Sequence, residues 1–443
     1  TVHRIPALSH TWALRMELAM GAGTAPTERQ PKFGELVPYG DPLWYSGKPS
    51  PYYTRSHHAW RKHVRDFVER EIEGNCDLWD RQKALPRELY RKAGLAGILQ
   101  TVVGCPYPHD FSDVPAPAGF DYFHELITLD ELGRCGSGGV LWGLVEGLQI
   151  GLPPLLNFGM NSSEVRARVA RECFSGNKII CLCITEPTAG SDVASIRCTA
   201  EKDPTGQYYI VNGAKKWITN GVFADYFTVA VRTGGPRSGA KGISMLLLEK
   251  SMPGISCKQM RCMGVHASGT TYIEFEDVQV PVSHLIGEEN NGFKQIMYNF
   301  NHERWGFVAQ ANRLSRVCYE EAFKYAIKRR TFGKPLSEHP VIRHKLGEMV
   351  RQIEANHAIL ESLTYQMNAM SKDEASRSLG GLTALTKVQA TKTFEYCARE
   401  AAQIFGGASY VQGGLGEKVE RLYRDVRAYA IPGGSEEIMT DFG

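Results

Sequence analysis

The sequence predicts a mainly helical protein with a central β domain. Residues 51–178 carry apolar side chains at helical spacing, residues 179–286 change to runs of strand length, and helical spacing returns over residues 287–443. Residues 1–50 are rich in proline and glycine and have no sustained period, so we expect an extended N-terminal arm there. The order lacks the alternation of strands and helices that a parallel α/β sheet requires.

The segment 51–178 is predicted to form an N-terminal helical bundle. Two stretches place apolar residues on one helix face, namely Trp60, Val64, Phe67 and Val68 in the first and Phe123, Leu126 and Ile127 in the second. The most apolar stretch, "GGVLWGLVEGLQIGLPPLL", contains Glu146 and Gln149 and is interrupted by two prolines. These polar residues and prolines favour a buried helix over a membrane span.

The segment 179–286 is predicted to form a compact antiparallel β domain. "GQYYIVNGAKKWITNG" contains two β-rich runs joined by Asn212-Gly213, a dipeptide typical of two-residue hairpin turns. The runs "YFTVAV", "GISMLLLE" and "TTYIEFEDVQV" follow at strand length. Cys181 and Cys183 lie two positions apart in an apolar run, so they are expected on one face of a strand.

The segment 287–443 is predicted to form a C-terminal four-helix bundle. A helical pattern begins near Asn290 and continues for roughly forty residues, which corresponds to about 60 Å of helix. Two more long helices are expected near 340–370 and 374–405, and the C-terminal segment completes the bundle.

Composition and motifs exclude several classes of function. The chain has 443 residues, enough for two or three lobes around a large cofactor. Its net charge is only +3 and it has no run of five or more like charges, so no nucleic-acid partner is expected. Its 11 cysteines show no paired zinc-ligand spacing, which predicts no metal site and a reducing compartment. No Gly-x-Gly-x-x-Gly or P-loop motif occurs, so the Rossmann and P-loop modes of nucleotide binding are excluded.

Glu303 is the candidate catalytic carboxylate. On a helical wheel it falls in an apolar stripe, while Arg304 and Trp305 point away; the stripe contains Ile296, Phe300, Phe307, Leu314, Cys318 and Tyr325. Burial would raise the pKa of this glutamate and make it a useful base near neutral pH. A buried acid paired with Arg304, or with an arginine across an interface, explains the pattern equally well.

Three further patterns leave two interpretations open. In "CITEPTAGSDVA" the hydroxyls of Thr185, Thr188 and Ser191 surround Gly190, which suits a heteroaromatic ring or a pyrophosphate but also an ordinary turn. Trp217 and Thr219 offer an aromatic face beside a hydroxyl, or a cross-strand core tryptophan. The closing "IPGGSEEIM" has paired acids, Glu436 and Glu437, that are either catalytic or the first turn of a helix.

From about residue 51 onward, the chain resembles the acyl-CoA dehydrogenase family of flavoproteins. The matching motifs occur in the same order: "CITEPTAGSDVASI", "VNGAKKWITNG", "GTTYIEFEDVQVP", "HLIGEENNGF", "AIKRRTFGKPL", "QIFGG" and "RLYRDVRAYAIPGGSEEIM". The resemblance implies that family's fold, an N-terminal helical bundle, a β domain and a C-terminal four-helix bundle. It also implies FAD as the cofactor and an acyl-CoA as the substrate.

The resemblance assigns roles to residues by position. The cofactor positions of one subunit would be Ile184, Thr185 and Ser191 at the flavin ring and phosphate end, Trp217 and Thr219 on its flank, and Ser435 and Glu437 near the adenosine and ribityl region. The positions that would hold the FAD of a neighbouring subunit are Arg329, Thr331, Phe332, Gln403, Gly406 and Gly407. The resemblance therefore implies a homodimer or homotetramer.

The resemblance also favours Glu303 as the base. Many members carry the glutamate where this chain has Gly433, whereas the isovaleryl-CoA and long-chain branch places it on the long helix, at the position of Glu303. Glu303 would then remove the α-proton of the thioester, the β-hydrogen would leave as a hydride to flavin N5, and a trans-2-enoyl thioester would result. The Gly433 amide would donate to the thioester carbonyl, and Asn301 and Arg304 would contact substrate.

Several functional alternatives stay open at this point. The electron acceptor is either an electron-transfer flavoprotein or, in an oxidase of the same fold, O₂. The substrate could instead be bound to a carrier other than CoA, as in a biosynthetic desaturase, or the protein could bind a macromolecular partner without dehydrogenation. The expected compartment is mitochondrial or peroxisomal in a eukaryote and cytoplasmic otherwise. The arginine-bearing opening of the chain fits a transit remnant only weakly.

Overall fold

The computed structural model describes residues 37–235 and 237–443, and the first part of it is a helical domain. Its helices are α1 (Arg55–Phe67), α2 (Cys76–Gln82), α3 (Arg87–Leu95), α4 (Tyr122–Gly133), α5 (Gly138–Leu141), α6 (Gly147–Gly151), α7 (Pro153–Phe158) and α8 (Ser163–Phe174). All seven apolar residues of the two predicted stripes are buried. Helix α1 packs against α4, where Trp60 Nε1 donates to Thr128 Oγ1 at 2.9 Å.

The apolar stretch from α5 to α7 lies inside this domain. A single helical stretch among the described residues, Gly138–Phe158, is long and apolar enough to cross a membrane, and 89% of its most apolar window is buried in the protein. Glu146 and Gln149 are buried within it. The stretch therefore packs as a core helix, as predicted.

The predicted N-terminal arm differs from the structure in its described part, residues 37–50. Leu43–Ser46 form a 3-10 helix, and Trp44 is buried and stacks on Tyr53 with ring centroids 3.8 Å apart. Asp41 forms ion pairs with three arginines of the helical domains: Arg65, Arg134 and Arg313. This part of the chain is thus anchored on the bundle, while residues 1–36 lie outside the described residues.

The β domain is one mixed sheet, not a purely antiparallel one. Its strands are β1 (Ile180–Cys183), β2 (Thr199–Lys202), β3 (Tyr208–Ile218), β4 (Tyr226–Arg232), β5 (Ile243–Glu249), β6 (Ile255–Gln259), β7 (Thr271–Pro281) and β8 (Leu285–Ile286). They follow the order β6-β7-β3-β2-β4-β5-β8, and β1 pairs with β4 in parallel. The parallel pair was missed because β1 and β4 are separated by β2 and β3 in sequence.

The predicted Asn212-Gly213 hairpin is wrong. Strand β3 runs through both residues, and Gly213 lies at a β-bulge where the register with β7 shifts. An added Cβ on Gly213 would lie 2.7 Å from the Cα of Cys198, so glycine permits close approach of β2 here and makes no turn. The real turn before β3 contains Gly206, at φ +70°, and Asp203, whose carboxylate accepts from Thr205.

The C-terminal domain is the predicted four-helix bundle. Its helices are α9 (Gly292–Lys328), α10 (Pro340–Ala369), α11 (Lys372–Ser378), α12 (Gly380–Phe405), α13 (Glu417–Ala430) and α14 (Glu436–Phe442), with a two-stranded ribbon of β9 (Arg330–Thr331) and β10 (Lys334–Pro335). Helix α12 packs against α9, α10 and α13. The helix expected at 374–405 is two helices, because α11 ends before Leu379.

Helix α9 is buried on all sides along its middle, which changes the helical-wheel picture. Arg304 and Trp305, expected to point away from the core, are both buried, and Trp305 Nε1 donates to Thr364 Oγ1 at 2.9 Å. One apolar core joins both helical domains across α9, and a second core fills the β domain. The helical wheel identified one apolar side of α9. In the structure, neighbouring elements surround the middle of this helix on every side.

Candidate active site

Glu303 lies on α9 directly beside the C-terminal turn that contains Gly433. An ideal Cβ built on Gly433 would stand 3.6 Å from Glu303 Oε1 and 2.9 Å from the ring of Phe307. The carboxylate therefore occupies the space next to position 433, where a side chain at that position would begin. Gly433 is at φ +67°, a left-handed conformation that glycine adopts at no steric cost.

The environment of Glu303 is that of an unpaired buried acid. Its side chain is buried, at 8% relative exposure, and no ion pair to it forms within the described part of the chain. Burial raises the pKa of Glu303 to about 7, although the positive charges of Arg304 and Lys387 oppose this shift. A carboxyl group with this pKa can hold or release a proton near neutral pH.

Arg304 does not form the ion pair with Glu303 that would make the acid structural. Its Nε donates to the carbonyl oxygen of Gly433 at 3.0 Å, and its Nη1 donates to Asn301 Oδ1 at 3.2 Å. Asn301 Nδ2 donates in turn to the carbonyl oxygen of Ser376 at 3.0 Å. These contacts link α9 to the C-terminal turn and to α11, and a cavity of about 60 Å³ opens beside Asn301 and His302.

Two cationic side chains hold three carbonyls of the turn from Ala430 to Gly434. Lys387 Nζ donates to the carbonyl oxygens of Ala430 at 3.1 Å and Gly434 at 2.9 Å. No oxygen within residues 37–235 and 237–443 accepts a hydrogen bond from the Gly433 amide. A peptide N–H is thus available next to the Glu303 carboxylate, an arrangement that can bind a carbonyl oxygen beside a base.

The loop after β1 lies against the end of β3 and contains the other predicted cluster. The amide of Lys216 donates to the carbonyl oxygen of Thr185 at 2.9 Å, which places Thr185 beside Trp217. Trp217 is not a core tryptophan, because 50% of its side chain is exposed. Thr219 is half-buried, Ser191 is exposed, and Ile184 is buried in the apolar core that joins the helical domains.

A buried ion pair supports this loop from beneath. Lys215 Nζ donates to Glu186 Oε1 at 2.8 Å and to the carbonyl oxygen of Ile184 at 2.9 Å. Glu186 also accepts from the amides of Arg197 at 2.6 Å and Cys198 at 2.9 Å. These bonds fix the loop backbone, so Thr185 and Trp217 form a rigid polar and aromatic surface.

Three family models together match most of the chain. The N-terminal, middle and C-terminal domains of acyl-CoA dehydrogenase match residues 54–177, 181–278 and 290–442. Acyl-CoA dehydrogenase AFT10-1 of Alternaria alternata is 43% identical over 92% of this chain and 95% of its own length. Acyl-CoA dehydrogenase apdG of Emericella nidulans is 40% identical over 91% of this chain and 94% of its own length. The chain belongs to the acyl-CoA dehydrogenase family.

Solved structures agree with this assignment. A probable acyl-CoA dehydrogenase from Mycobacterium abscessus superimposes with a TM-score of 0.80 at 35% identity, covering 88% of this chain and 98% of its own. The resemblance read from the motifs and the predicted fold class are thereby confirmed. The roles of individual residues stay predictions.

The residues predicted to hold the FAD of a neighbouring subunit lie toward one end of the bundle. Tyr325 of α9 stacks on Phe405 of α12 with ring centroids 4.3 Å apart, which brings the ends of these helices together. Phe332 is 96% exposed at φ +49°, and Thr331 is half-buried; the others of the predicted set, Arg329, Gln403, Gly406 and Gly407, are exposed. This set is separate from the Glu303 turn within one chain.

Glu436 and Glu437 lie at the start of a helix, which was one of the two interpretations of the closing motif. Ser435 is the N-cap of α14, with Oγ accepting from the amide of Ile438, and Glu436 and Glu437 occupy the first turn. Glu436 Oε1 accepts from Thr391 Oγ1 at 2.7 Å. The first-turn position explains these acids without any catalytic role.

Sequence reasoning missed four buried polar residues around the site. Lys387 and Glu146 lie near Glu303, and Lys215 and Glu186 lie beneath the Thr185 loop; all four are buried. Lys387 could have been found by the wheel that identified Glu303, since it is a charged residue between the buried Ala384 and Ala390 of α12. Lys215 could have been found from strand alternation, since it has the same parity on β3 as the buried Tyr209 and Val211.

One cluster of metal-ligand type occurs among the described residues, outside the predicted site. His57, Asp121 and His124 bring ligand atoms within 4.8 Å of one another. Thr54 and His57 form the capping box of α1, Asp121 and His124 form that of α4, and His57 Nε2 bonds Asp121 Oδ1 at 2.9 Å. Helix capping accounts for this arrangement, so we assign no metal to it.

Proposed function

We propose that this acyl-CoA dehydrogenase family member removes hydrogen from the α and β carbons of an acyl-CoA thioester, with Glu303 as the α-proton base and FAD as the cofactor. The observation that supports the proposal most is the unpaired Glu303 carboxylate, 3.6 Å from the Cβ position of Gly433. The base thereby stands at the turn where relatives with a glutamate in the closing motif carry theirs.

Glu303 would accept the α-proton at its Oε1 or Oε2 oxygen. Removing a proton next to a thioester carbonyl requires a base within about 3 Å and a donor for the charge that develops on the carbonyl oxygen. The Gly433 amide, which donates to no acceptor among the described residues, would be that donor. Arg304 holds the carbonyl of the same residue, so the direction of the neighbouring peptide groups is set before substrate binds.

The surface formed by the Thr185 loop and Trp217 fits a flavin. An aromatic ring that is half exposed on a rigid sheet can cover one flank of a planar heteroaromatic ring, and no atom lies within 4 Å of an added Cβ on Gly190 in the same loop. When bound, FAD would supply the oxidant that takes the β-hydrogen as a hydride. Thr185, Ser191, Trp217 and Thr219 would hold it from this chain.

A second copy of the chain would complete the cofactor site, with a homodimer as the smallest assembly. Phe332 is almost fully exposed although it is apolar, and Arg329, which caps the end of α9 just before the ribbon, is also exposed. Exposed large apolar side chains are typical of surfaces that a partner covers. Light scattering of the purified protein tests this part: a monomer that retains FAD would contradict it.

Anaerobic titration with a panel of straight and branched acyl-CoAs tests the proposed reaction. We expect at least one thioester to bleach the oxidised flavin absorbance of the wild-type protein. If none does, the CoA substrate is wrong, and the same titration with acyl groups on a carrier protein tests the biosynthetic alternative. Electron-transfer flavoprotein is the proposed acceptor, and peroxide release without added acceptor would instead indicate an oxidase.

A further inference from the structure

We propose that Lys387 is a positioning residue that holds the Gly433 turn beside Glu303 and favours the ionised form of this base. This inference rests on the proposed function, because it concerns the same base. Lys387 lies on α12, faces α9 and the C-terminal turn, and its side chain is fully buried.

The hydrogen bonds of Lys387 bracket Gly433. Its Nζ donates to the carbonyl oxygen of Ala430, three residues before Gly433, and to that of Gly434, the next residue. Arg304 donates to the carbonyl between them, that of Gly433 itself. Two cations from two helices therefore hold three carbonyls of a turn whose Gly433 and Gly434 both have positive φ, a backbone with no regular structure of its own.

The ammonium group is also a source of positive charge at the base. The charged and titratable groups around Lys387 come from two packed elements: Glu436 and Glu437 on α14 and Glu303 and Arg304 on α9. Those around Glu303 are Arg304, Lys387, His302 and the buried Glu146. Burial lowers the pKa of Lys387 to about 8, so it is largely charged at neutral pH and favours the carboxylate form of Glu303.

This placement gives Lys387 two roles, one through its charge and one through its hydrogen bonds, and the pH dependence of the rate separates them. If the charge matters, its loss raises the pH at which Glu303 ionises, and activity recovers at high pH. If the bonds to Ala430 and Gly434 matter, the turn moves when they are lost, and no pH restores the rate. A lysine that only stabilises the fold would change neither the ionisation nor the rate of the folded protein.

Two variants separate these roles in the FAD-loaded full chain. Lys387→Met removes both the charge and the donors, whereas Lys387→Gln removes the charge and keeps a donor for one carbonyl. The matched control is Lys392→Met, an exposed lysine on the same helix. The ionisation of Glu303 is followed by infrared difference spectra against pH, with the carboxyl band assigned by its absence in Glu303→Gln. The rate is followed as flavin reduction by an acyl-CoA in a stopped flow.

We expect both Lys387 variants to raise the infrared midpoint of Glu303 by about one pH unit, and Lys392→Met to leave it unchanged. We expect Lys387→Met to slow flavin reduction about 100-fold at all pH values, because the turn is misplaced, and Lys387→Gln to recover most of its rate at high pH.

A midpoint and a rate that match wild type in both folded variants would overturn the proposal, even if thermal stability fell. Should Lys387→Met fail to fold, Lys387→Gln decides the question alone. A wild-type protein that no thioester reduces would overturn the proposed function, and the infrared midpoint would still decide whether Lys387 controls the ionisation of Glu303.

Discussion

Two glutamates in this protein are buried to a similar degree but have opposite surroundings. Glu186, beneath the Thr185 loop, accepts hydrogen bonds from Lys215 and from two backbone amides, so its carboxylate is fully engaged. Glu303, beside the C-terminal turn, has no ion pair within the described residues, because Arg304 donates to Gly433 and Asn301 instead. Burial alone therefore does not distinguish an acid that stabilises the fold from one that can act as a base. The hydrogen-bonding and charged partners of the carboxylate make this distinction.

The difference has an energetic basis. A buried carboxylate with a cation and donors around it stays ionised and stabilises the fold around it, whereas an unpaired one is forced toward its neutral form. Burial raises the pKa of Glu303 to about 7 for this reason. The protein thus carries an acid whose ionisation destabilises the fold, at the place where a base is proposed.

Glu303→Gln should have the largest effect on activity. We expect flavin reduction by a good acyl-CoA to slow about 1,000-fold, since the amide cannot accept the α-proton, while flavin content and thermal stability stay close to wild type. In the wild type, the same rate should rise with pH through about 7, because only the ionised carboxyl is a base.

The matched control is Glu321→Gln, the same chemical change at a half-buried position of the same helix that pairs with Lys324 and Lys418. It should reduce its flavin at the wild-type rate. A Glu303→Gln protein that is reduced at nearly the wild-type rate would show that Glu303 is not the base.

Lys215→Met should have the largest effect on stability. It leaves Glu186 buried without its cation, so we expect a loss of about 3–5 kcal/mol in the free energy of unfolding and a lower flavin content after purification. Lys202→Met, which removes an exposed ion pair with Glu289 on the same sheet, should cost less than about 1 kcal/mol. Equal losses in the two variants, measured by urea denaturation, would contradict the structural role of Glu186.

The sequence contained more about Glu303 than about Glu186. Glu303 interrupts a long apolar stripe of one helix, a pattern that local periodicity reveals, and its burial was predicted correctly. Glu186 lies in an irregular loop where no period applies, whereas its partner Lys215, two residues after Gly213, has the same strand parity on β3 as the buried Tyr209 and Val211. The hairpin turn predicted at the same glycine is wrong. A glycine is needed at position 213 because Cys198 approaches it closely. This contact joins distant parts of the chain, so no local sequence pattern reveals it.

The same limit applies to the turn at Gly433. The motif indicated that a side chain was missing at this position, but not that Phe307 and Glu303 fill the space. It also gave no sign of Lys387, whose contacts join two segments more than forty residues apart. Helical and strand periods predicted the order of the domains because they are local, whereas the partners of buried charges are set by packing between domains.

Gly433→Ala should have an intermediate effect that measures how tightly the turn is packed. A Cβ at φ +67° is strained, and it would also lie 2.9 Å from the Phe307 ring, so we expect a loss of about 3 kcal/mol and slower flavin reduction. Gly206→Ala is the control, since Gly206 has φ +70° but open space around it and should show only the backbone strain. Equal losses would mean that Phe307 yields easily.

Glu146→Gln should have the smallest effect. It tests a buried glutamate whose surroundings are intermediate between those of Glu186 and Glu303. Glu146 is buried, accepts one hydrogen bond from Gln310 Nε2 at 3.1 Å and has no cation beside it among the described residues; burial, with a smaller effect of the Glu303 charge, raises its pKa to about 8. Between about pH 4.5 and 8 the folded state therefore holds a proton that the unfolded state has lost, so wild-type stability should fall as pH rises.

The amide introduced by Glu146→Gln stays neutral and can still accept from Gln310, so the variant should lack this fall. We expect Glu146→Gln to gain up to about 1.4 kcal/mol over wild type for each pH unit between about 5 and 8, and to gain no more above that range. Glu88→Gln makes the same chemical change at an exposed position and is the matched control. If the stability difference between Glu146→Gln and wild type does not change with pH, one hydrogen bond suffices to keep a buried glutamate ionised. The contrast between Glu186 and Glu303 would then depend less on the cation than on the number of hydrogen-bond donors.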